Sequence, residues 1–313
     1  MFANLALPLM CAPMSFASSP ELAAACSRAG VVAGWQGGTY TNMAEFERYM
    51  DRLADIAGAP PIVNLPARIA TEDIGPAKLA LLEKHHAPLV LCSLGAPTEL
   101  IKRVHGWGGK LIQDVTTMRH AEKALEAGVD GLMLTCAGAG GHTGFLTPMA
   151  FVPAVRRMYD GPIIVAGGIA DASGIAAALA LGGDIACMGT RFIATPESGV
   201  VAGHRDMIAQ SGVDDIVIAS AMNGVPANWM EPSIAAVGLD HRKLPKERTA
   251  MPDGVQAWRD IWSAGQSVGL IDEVEEVDQL VRRLTSEFEA LDFRCDWRAR
   301  LARFEDIMTE DAG

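Results

Sequence analysis

Short, continuous apolar runs alternate along most of the chain with segments of helical periodicity. The runs occupy residues 9–14, 31–34, 61–66, 88–92, 110–114, 130–136, 162–166 and 184–188. Between them, segments at about 20–29, 42–57, 73–86, 97–105, 117–127, 148–159 and 171–181 place apolar residues three and four apart. Runs too short for helices and apolar on both faces suit parallel strands covered by helices. Eight strands, each followed by a helix, predict an α/β fold, specifically a TIM (β/α)8 barrel. Helix boundaries agree: Ser18 or Ser19 before Pro20 reads as an N-cap, and Gly30, Gly128 and Gly182 stand where helices end and strands begin.

The alternation stops near residue 199. A helix to about 210 and a strand-like stretch at 216–219 precede an irregular segment at 223–229. Three amphipathic helical patterns follow, at 255–268, 274–291 and 297–308. The expected organisation is therefore a barrel over 1–198 and a mostly helical C-terminal appendage over 199–313, packed on the barrel as one unit. The amphipathic faces, with Trp258, Trp262 and Trp297, suit a solvated cap or the face of a homodimer.

Composition narrows the function. The 313 residues suit one barrel of roughly 250 residues with an extension. Acidic residues outnumber basic ones, 38 to 26, and no Lys/Arg block is present, so a nucleic-acid partner is not expected. No apolar stretch reaches the ~18 residues that span a bilayer, and no membrane role is expected. The apolar start, 1–17, has no basic residue before Arg28 and reads as a buried first strand rather than a secretory leader. Six scattered cysteines without CxxC spacing predict reduced thiols, a cytoplasmic protein and no metal site.

Candidate chemistry gathers at the carboxyl ends of the expected strands. After the sixth comes Gly138, Ala139, Gly140, Gly141, His142, Thr143 and Gly144, four glycines around one histidine. Such a backbone turns tightly or lies against a ligand, and His142 at a barrel mouth can exchange a proton near neutral pH. The other histidines, His85, His86, His105, His120, His204 and His241, fall on helices or helix ends and read as surface residues. After the seventh and eighth strands come Gly167 and Gly168, then Gly189 and Thr190. In barrels, loops at these two positions commonly bind phosphate through backbone amides and a helix N-terminus. No GxGxxG follows the first strand, and no P-loop, HExxH or GxSxG occurs.

Together, Ala12, Pro13 and Met14, the Asn64 strand end, the 139–144 loop, the 166–169 glycines and the 188–192 stretch resemble the nitronate monooxygenase family, once called 2-nitropropane dioxygenases. The resemblance covers about residues 5–230. It implies FMN held without a covalent link, its phosphate at Gly167, Gly168, Gly189 and Thr190 and its ring over Pro13 and Met14. Asn64 and Gln113 are implied as polar contacts, Gly141 as a neighbour of the cofactor, and His142 as catalytic base or anion anchor. The implied reaction oxidises an alkyl nitronate with dioxygen to a carbonyl compound and nitrite. Gly138 departs from the polar or acidic residue often found there in relatives. The fold and loop also resemble flavin-dependent enoyl-thioester and NAD(P)H:quinone reductases, so an NAD(P)H-dependent reductase and an acyl-CoA-acting dehydrogenase stay open. So does a barrel that binds a phosphorylated small molecule without redox chemistry.

Overall fold

Ser19 starts the first helix: its hydroxyl accepts from Leu22 N (2.9 Å), Pro20 opens the first turn, and Arg28 lies at the carboxyl end, where a cation complements the helix dipole. The same logic sets Met43–Ala54, capped by Asn42 and buried along Phe46, Met50 and Leu53. Thr117 and Asp171 likewise cap Met118–Glu126 and Ala172–Ala180. This computed structural model describes residues 4–56 and 60–292. Its strands are β1 (Leu9–Cys11), β2 (Val32–Gln36), β3 (Ile62–Pro66), β4 (Leu89–Ser93), β5 (Lys110–Val115), β6 (Gly131–Thr135), β7 (Gly141–His142), β8 (Ile163–Ala166), β9 (Ile185–Met188), β10 (Ile216–Ala219) and β11 (Ala227–Met230). Its helices are α1 (Pro20–Arg28), α2 (Met43–Ala54), α3 (Gly75–Lys84), α4 (Thr98–Gly106), α5 (Met118–Glu126), α6 (Pro148–Arg156), α7 (Ala172–Ala180), α8 (Thr190–Ile193), α9 (Ala202–Gln210), α10 (Glu231–Ala236) and α11 (Val277–Glu289).

Strands β1 to β6, β8 and β9 form a closed barrel, parallel throughout, with β9 pairing back onto β1. This is the TIM barrel that the alternation predicts. Side chains of each strand divide between two packed regions. Met10, Val32, Ile62, Ile112, Met133 and Ile164 fill the interior, whereas Leu9, Val63, Val90, Leu111, Leu132 and Val165 pack against the helices. Each fully buried side chain of this kind contributes roughly 1.5–3 kcal/mol. Cys11, Cys26, Cys92, Cys136 and Cys187 are buried and free. Among the described residues, no group of three or more His, Cys, Asp or Glu is placed to hold a metal ion, and no helix is long and apolar enough to cross a membrane.

After α8 the chain leaves the barrel wall and returns only with α11, which packs between α7 and α1. Two expectations for the intervening segment are corrected. Residues 223–229 are not wholly irregular: β11 pairs antiparallel with β10 on one side and with β7 on the other. Residues 255–268 are not a helix. Their backbone groups bond elsewhere, with Gln266 N donating to Gly138 O (2.9 Å), Gly265 N to Thr190 Oγ1 (2.8 Å) and Met230 N to Trp262 O (2.9 Å). Those groups cannot also close helical turns, so tertiary bonding overrides the periodicity. The amphipathic pattern at 274–291 becomes α11, and the one at 297–308 lies outside the described residues.

Candidate active site

A cavity of about 570 Å³ opens at the carboxyl ends of the barrel strands, within the ~300–1,000 Å³ typical of small-molecule sites. Of the residues singled out in the sequence, Ala12, Pro13, Met14, Asn64, Gly141, His142, Gly167, Gly168, Gly189 and Thr190 line it. Gln113 does not. Strand β5 alternates Leu111, Gln113 and Val115 toward the helices with Ile112 and Asp114 toward the barrel axis. Gln113 Nε2 donates to Gly95 O and Asp114 O (both 3.2 Å), so its side chain secures a loop beneath the rim. The inward residue of this strand end is Asp114, which sequence reasoning passed over.

Asp114 belongs to an arc of polar side chains on the cavity floor. Thr135 Oγ1 on β6 donates to Asp114 Oδ1 at 2.6 Å, and Ser93 Oγ on β4 donates to Asn64 Oδ1 at 3.3 Å. Desolvation raises the Asp114 pKa to about 6, against the lowering effect of the Thr135 hydroxyl.

His142 is held in a loop that is itself held by the segment after residue 199. Ala227 faces His142 across the β7–β11 pairing, Asn228 Nδ2 donates to Ala139 O (2.7 Å), and Gly141 N donates to Ser263 Oγ (2.7 Å). The glycines of this loop meet protein as well as cavity: a Cβ at Gly140 would come within 2.8 Å of Gly265 N and 2.9 Å of Ala264 C. The Asn223 amide is oriented because its Oδ1 accepts from Val225 N, and its Nδ2 lies 3.1 Å from His142 Nε2. An amide nitrogen can only donate, so Nε2 is the unprotonated acceptor of a neutral ring. Partial desolvation, with the edge of Trp258 at 5.5 Å, holds the His142 pKa below its ordinary value although the side chain keeps solvent contact at the mouth.

Two further lining residues escaped sequence reasoning. His204, expected on the surface, is buried, stacked on Trp262 at 5.1 Å, and donates from Nε2 to Ser263 O (3.1 Å). Burial pushes its pKa down to about 4. Trp258 adopts a left-handed backbone (φ +73°) beside His142, with Trp229 behind it at 4.3 Å. That conformation is strained for a bulky residue and persists because the surroundings enforce it. Trp258 lies in a pattern that suggested a solvated cap or a homodimer face, and His204 on the expected helix that ends near residue 210.

Opposite the loop, the ends of β1, β8 and β9 converge. The place of a Cβ at Gly189 is 3.4 Å from Met14 Sδ and 3.6 Å from Ala12 Cβ, and at Gly168 (φ +74°) it is open space within the cavity. Any larger residue at Gly168 would fill that cradle. In the first turn of α8, Phe192 N and Ile193 N donate to Gly189 O (2.9 and 3.1 Å), so the amides of Thr190 and Arg191 ahead of them are the ones without an acceptor within the helix. These features fit an anionic group held by backbone N–H and glycine rather than by side-chain charge. Arg191, beside them, turns its guanidinium to the carbonyls of Ala194 and Glu273. The glycine cradle, the Pro13–Met14 wall and the polar floor fit the phosphate, face and polar edge of a flavin mononucleotide.

Comparison with known proteins agrees with the fold. The model of the nitronate monooxygenase family matches residues 1–287. A nitronate monooxygenase of Paraburkholderia phytofirmans is 30% identical over 234 residues, covering 72% of this chain and 61% of that protein. An indene-carboxyl-CoA dehydrogenase of Rhodococcus jostii is 28% identical over 219 residues, covering 70% and 61%. The chain thus aligns with less than two thirds of the length of these relatives. FabK of Thermotoga maritima superposes with a TM-score of 0.78 at 29% identity, covering 92% of this chain and 94% of that one. A nitroalkane oxidase of Streptomyces ansochromogenes gives 0.78 at 26%, covering 91% and 97%. With a family model matching almost the whole described chain, on a barrel whose cavity carries the motifs of that family, this protein belongs to the nitronate monooxygenase family.

Proposed function

We propose that this chain is an FMN-dependent oxidoreductase of the nitronate monooxygenase type, oxidising alkyl nitronates with dioxygen to a carbonyl compound and nitrite. The observation that carries the reading is one cavity uniting a glycine cradle at Gly168 and Gly189 with a neutral histidine, His142, at its mouth. The bound flavin supplies two-electron chemistry and reactivity toward dioxygen. The chain supplies position and proton control. Gly167, Gly168, Gly189 and Thr190 would hold the phosphate, Pro13 and Met14 would pack on the ring, and Asn64 would face its polar edge.

His142 is neutral near pH 7, which suits a base more than a cationic anchor. Its Nε2 would exchange Asn223 for the acidic hydrogen of a substrate carbon, or hold a proton beside an anionic one. Trp258 restricts the imidazole on one side.

A second reading, an NAD(P)H-dependent reductase or an acyl-CoA-acting dehydrogenase, draws on the rim. Phe16 and Leu94 line the opening with 47% and 51% of their surfaces exposed, a wall suited to an apolar chain. Arg68 stands among the lining residues, paired with Glu72. Anaerobic mixing separates the readings. Under the first, propyl-2-nitronate bleaches the bound flavin; bleaching by NADH or by an acyl thioester alone would transfer the assignment to the second. A chain that takes up no FMN rejects both and leaves a non-redox barrel for phosphorylated ligands.

A further inference from the structure

A carboxyl group on the floor of a cofactor cavity is costly to keep charged, and the surroundings of Asp114 do little to reduce that cost. Thr135 donates one hydrogen bond to Oδ1. No hydrogen bond or ion pair joins a cation to either oxygen among the described residues, and the cavity is the remaining open side. On β3, the Asn64 amide nitrogen donates to Leu91 O and its oxygen accepts from Ser93, and neither is bonded to the carboxyl. Cys92, Cys136 and Cys187 are thiols whose pKa values burial pushes up to about 12, with the Asp114 charge adding to the effect. They remain neutral. Arg68, after β3, is bound to Glu72 at the rim, and His142, after β6, is neutral.

We propose that Asp114 is the proton-holding residue against which the cofactor's ring system packs, so that a proton enters the cavity floor as the cofactor binds. This rests on the flavin reading above. A planar ring laid over the floor would displace the solvent that still reaches Asp114, with no cation arriving to compensate, and desolvation favours the neutral acid. The polar edge of an isoalloxazine presents carbonyl and imine acceptors but a single N–H. A carboxylic acid, with Oδ1 already accepting from Thr135, therefore has acceptors to meet, and a carboxylate would have few donors. Desolvation by the protein alone already raises the pKa of this carboxyl to about 6, so covering it moves the transition toward physiological pH. Asp114 would thus be a positioning residue for the ring, setting the charge beneath it.

The test measures FMN binding to the cofactor-free full chain by calorimetry, in buffers of differing ionisation enthalpy. At about pH 7.5 the wild type is expected to take up close to one more proton per FMN than Asp114→Asn, and its affinity to fall up to about tenfold more per pH unit above pH 6. The FMN phosphate titrates equally in both chains, so the difference belongs to Asp114. Thr135→Val removes the donor to the carboxylate and is expected to move the uptake window to higher pH, which keeps the test intact should Asp114→Asn fold poorly. Equal proton uptake in wild type and Asp114→Asn, or an unmoved window in Thr135→Val, overturns the proposal while leaving the cofactor assignment standing. A wild type that binds no FMN overturns the cofactor assignment and this proposal with it.

Discussion

His142 draws its proposed chemistry from a neighbour that the sequence places 81 positions away: Asn223, itself oriented by Val225 N, leaves Nε2 unprotonated. Replacing His142 with Ala should leave FMN bound and lower turnover by roughly 10²–10⁴, the usual worth of a positioned acid–base group. Steady-state rates on flavin-saturated protein check this, and unchanged turnover would reduce the histidine to a rim residue. Asp114 makes a prediction about folding as well. Its pKa is raised on folding, so the folded chain holds the extra proton between about pH 4 and 6. The cofactor-free wild type should accordingly lose stability relative to Asp114→Asn as pH rises through that range. Urea midpoints at both ends measure it, and a gap that does not widen with pH would contradict the buried-acid account. The position was legible in the sequence. Strand parity alone, with Ile112 inward, sends Asp114 inward and Gln113 outward, whereas the resemblance had put weight on Gln113.

At the scale of elements, the 138–144 loop is a shared part rather than a ligand clasp alone. Gly140 approaches the 264–265 backbone so closely that Gly140→Ala should cost about 1–3 kcal/mol through displaced backbone. Gly189→Val should instead leave folding nearly intact and weaken FMN binding, since its Cβ place borders Met14 and Ala12 at ordinary contact distance. Thermal melts beside flavin titrations separate the two, and the reverse pattern would exchange the roles given to these glycines. His204 adds a pH signature to the same region. Its pKa is lowered to about 4, so the unfolded chain binds a proton that the folded one refuses as pH falls from about 6.5. Between pH 7 and 4.5 the wild type should therefore lose more stability than His204→Gln. An equal loss would place the acid sensitivity elsewhere.

The strands and helices of the barrel were readable because each depends on local rules: short apolar runs, caps at Ser19, Asn42, Thr117 and Asp171, and glycine at helix ends. The segment at 223–268 was not. Its helical spacing of Val255, Trp258 and Ile261 is real, yet hydrogen bonds to Gly138 and Thr190, far away in sequence, decide its path. Trp258 and Ser263 thereby join the site from a stretch with no motif of its own, and His204 on α9 is buried against that stretch through Ser263 O and Trp262.

At the scale of the whole molecule, eight strands deliver their carboxyl ends to one cavity, and the chain between α8 and α11 folds over its mouth before closing the helical ring. Backbone amides and glycine form one side, the Asn64 to Thr135 arc the floor, and His142 with Trp258 the opposite rim. Under the proposed function, a flavin in this cavity accepts electrons from a nitronate. The most direct measurement is anaerobic mixing of FMN-loaded protein with propyl-2-nitronate, followed by air. The expected result is loss of the oxidised-flavin absorbance, then its return with release of nitrite and a carbonyl compound. Flavin that stays oxidised with the nitronate, while NADH or an acyl thioester bleaches it, would overturn the nitronate assignment.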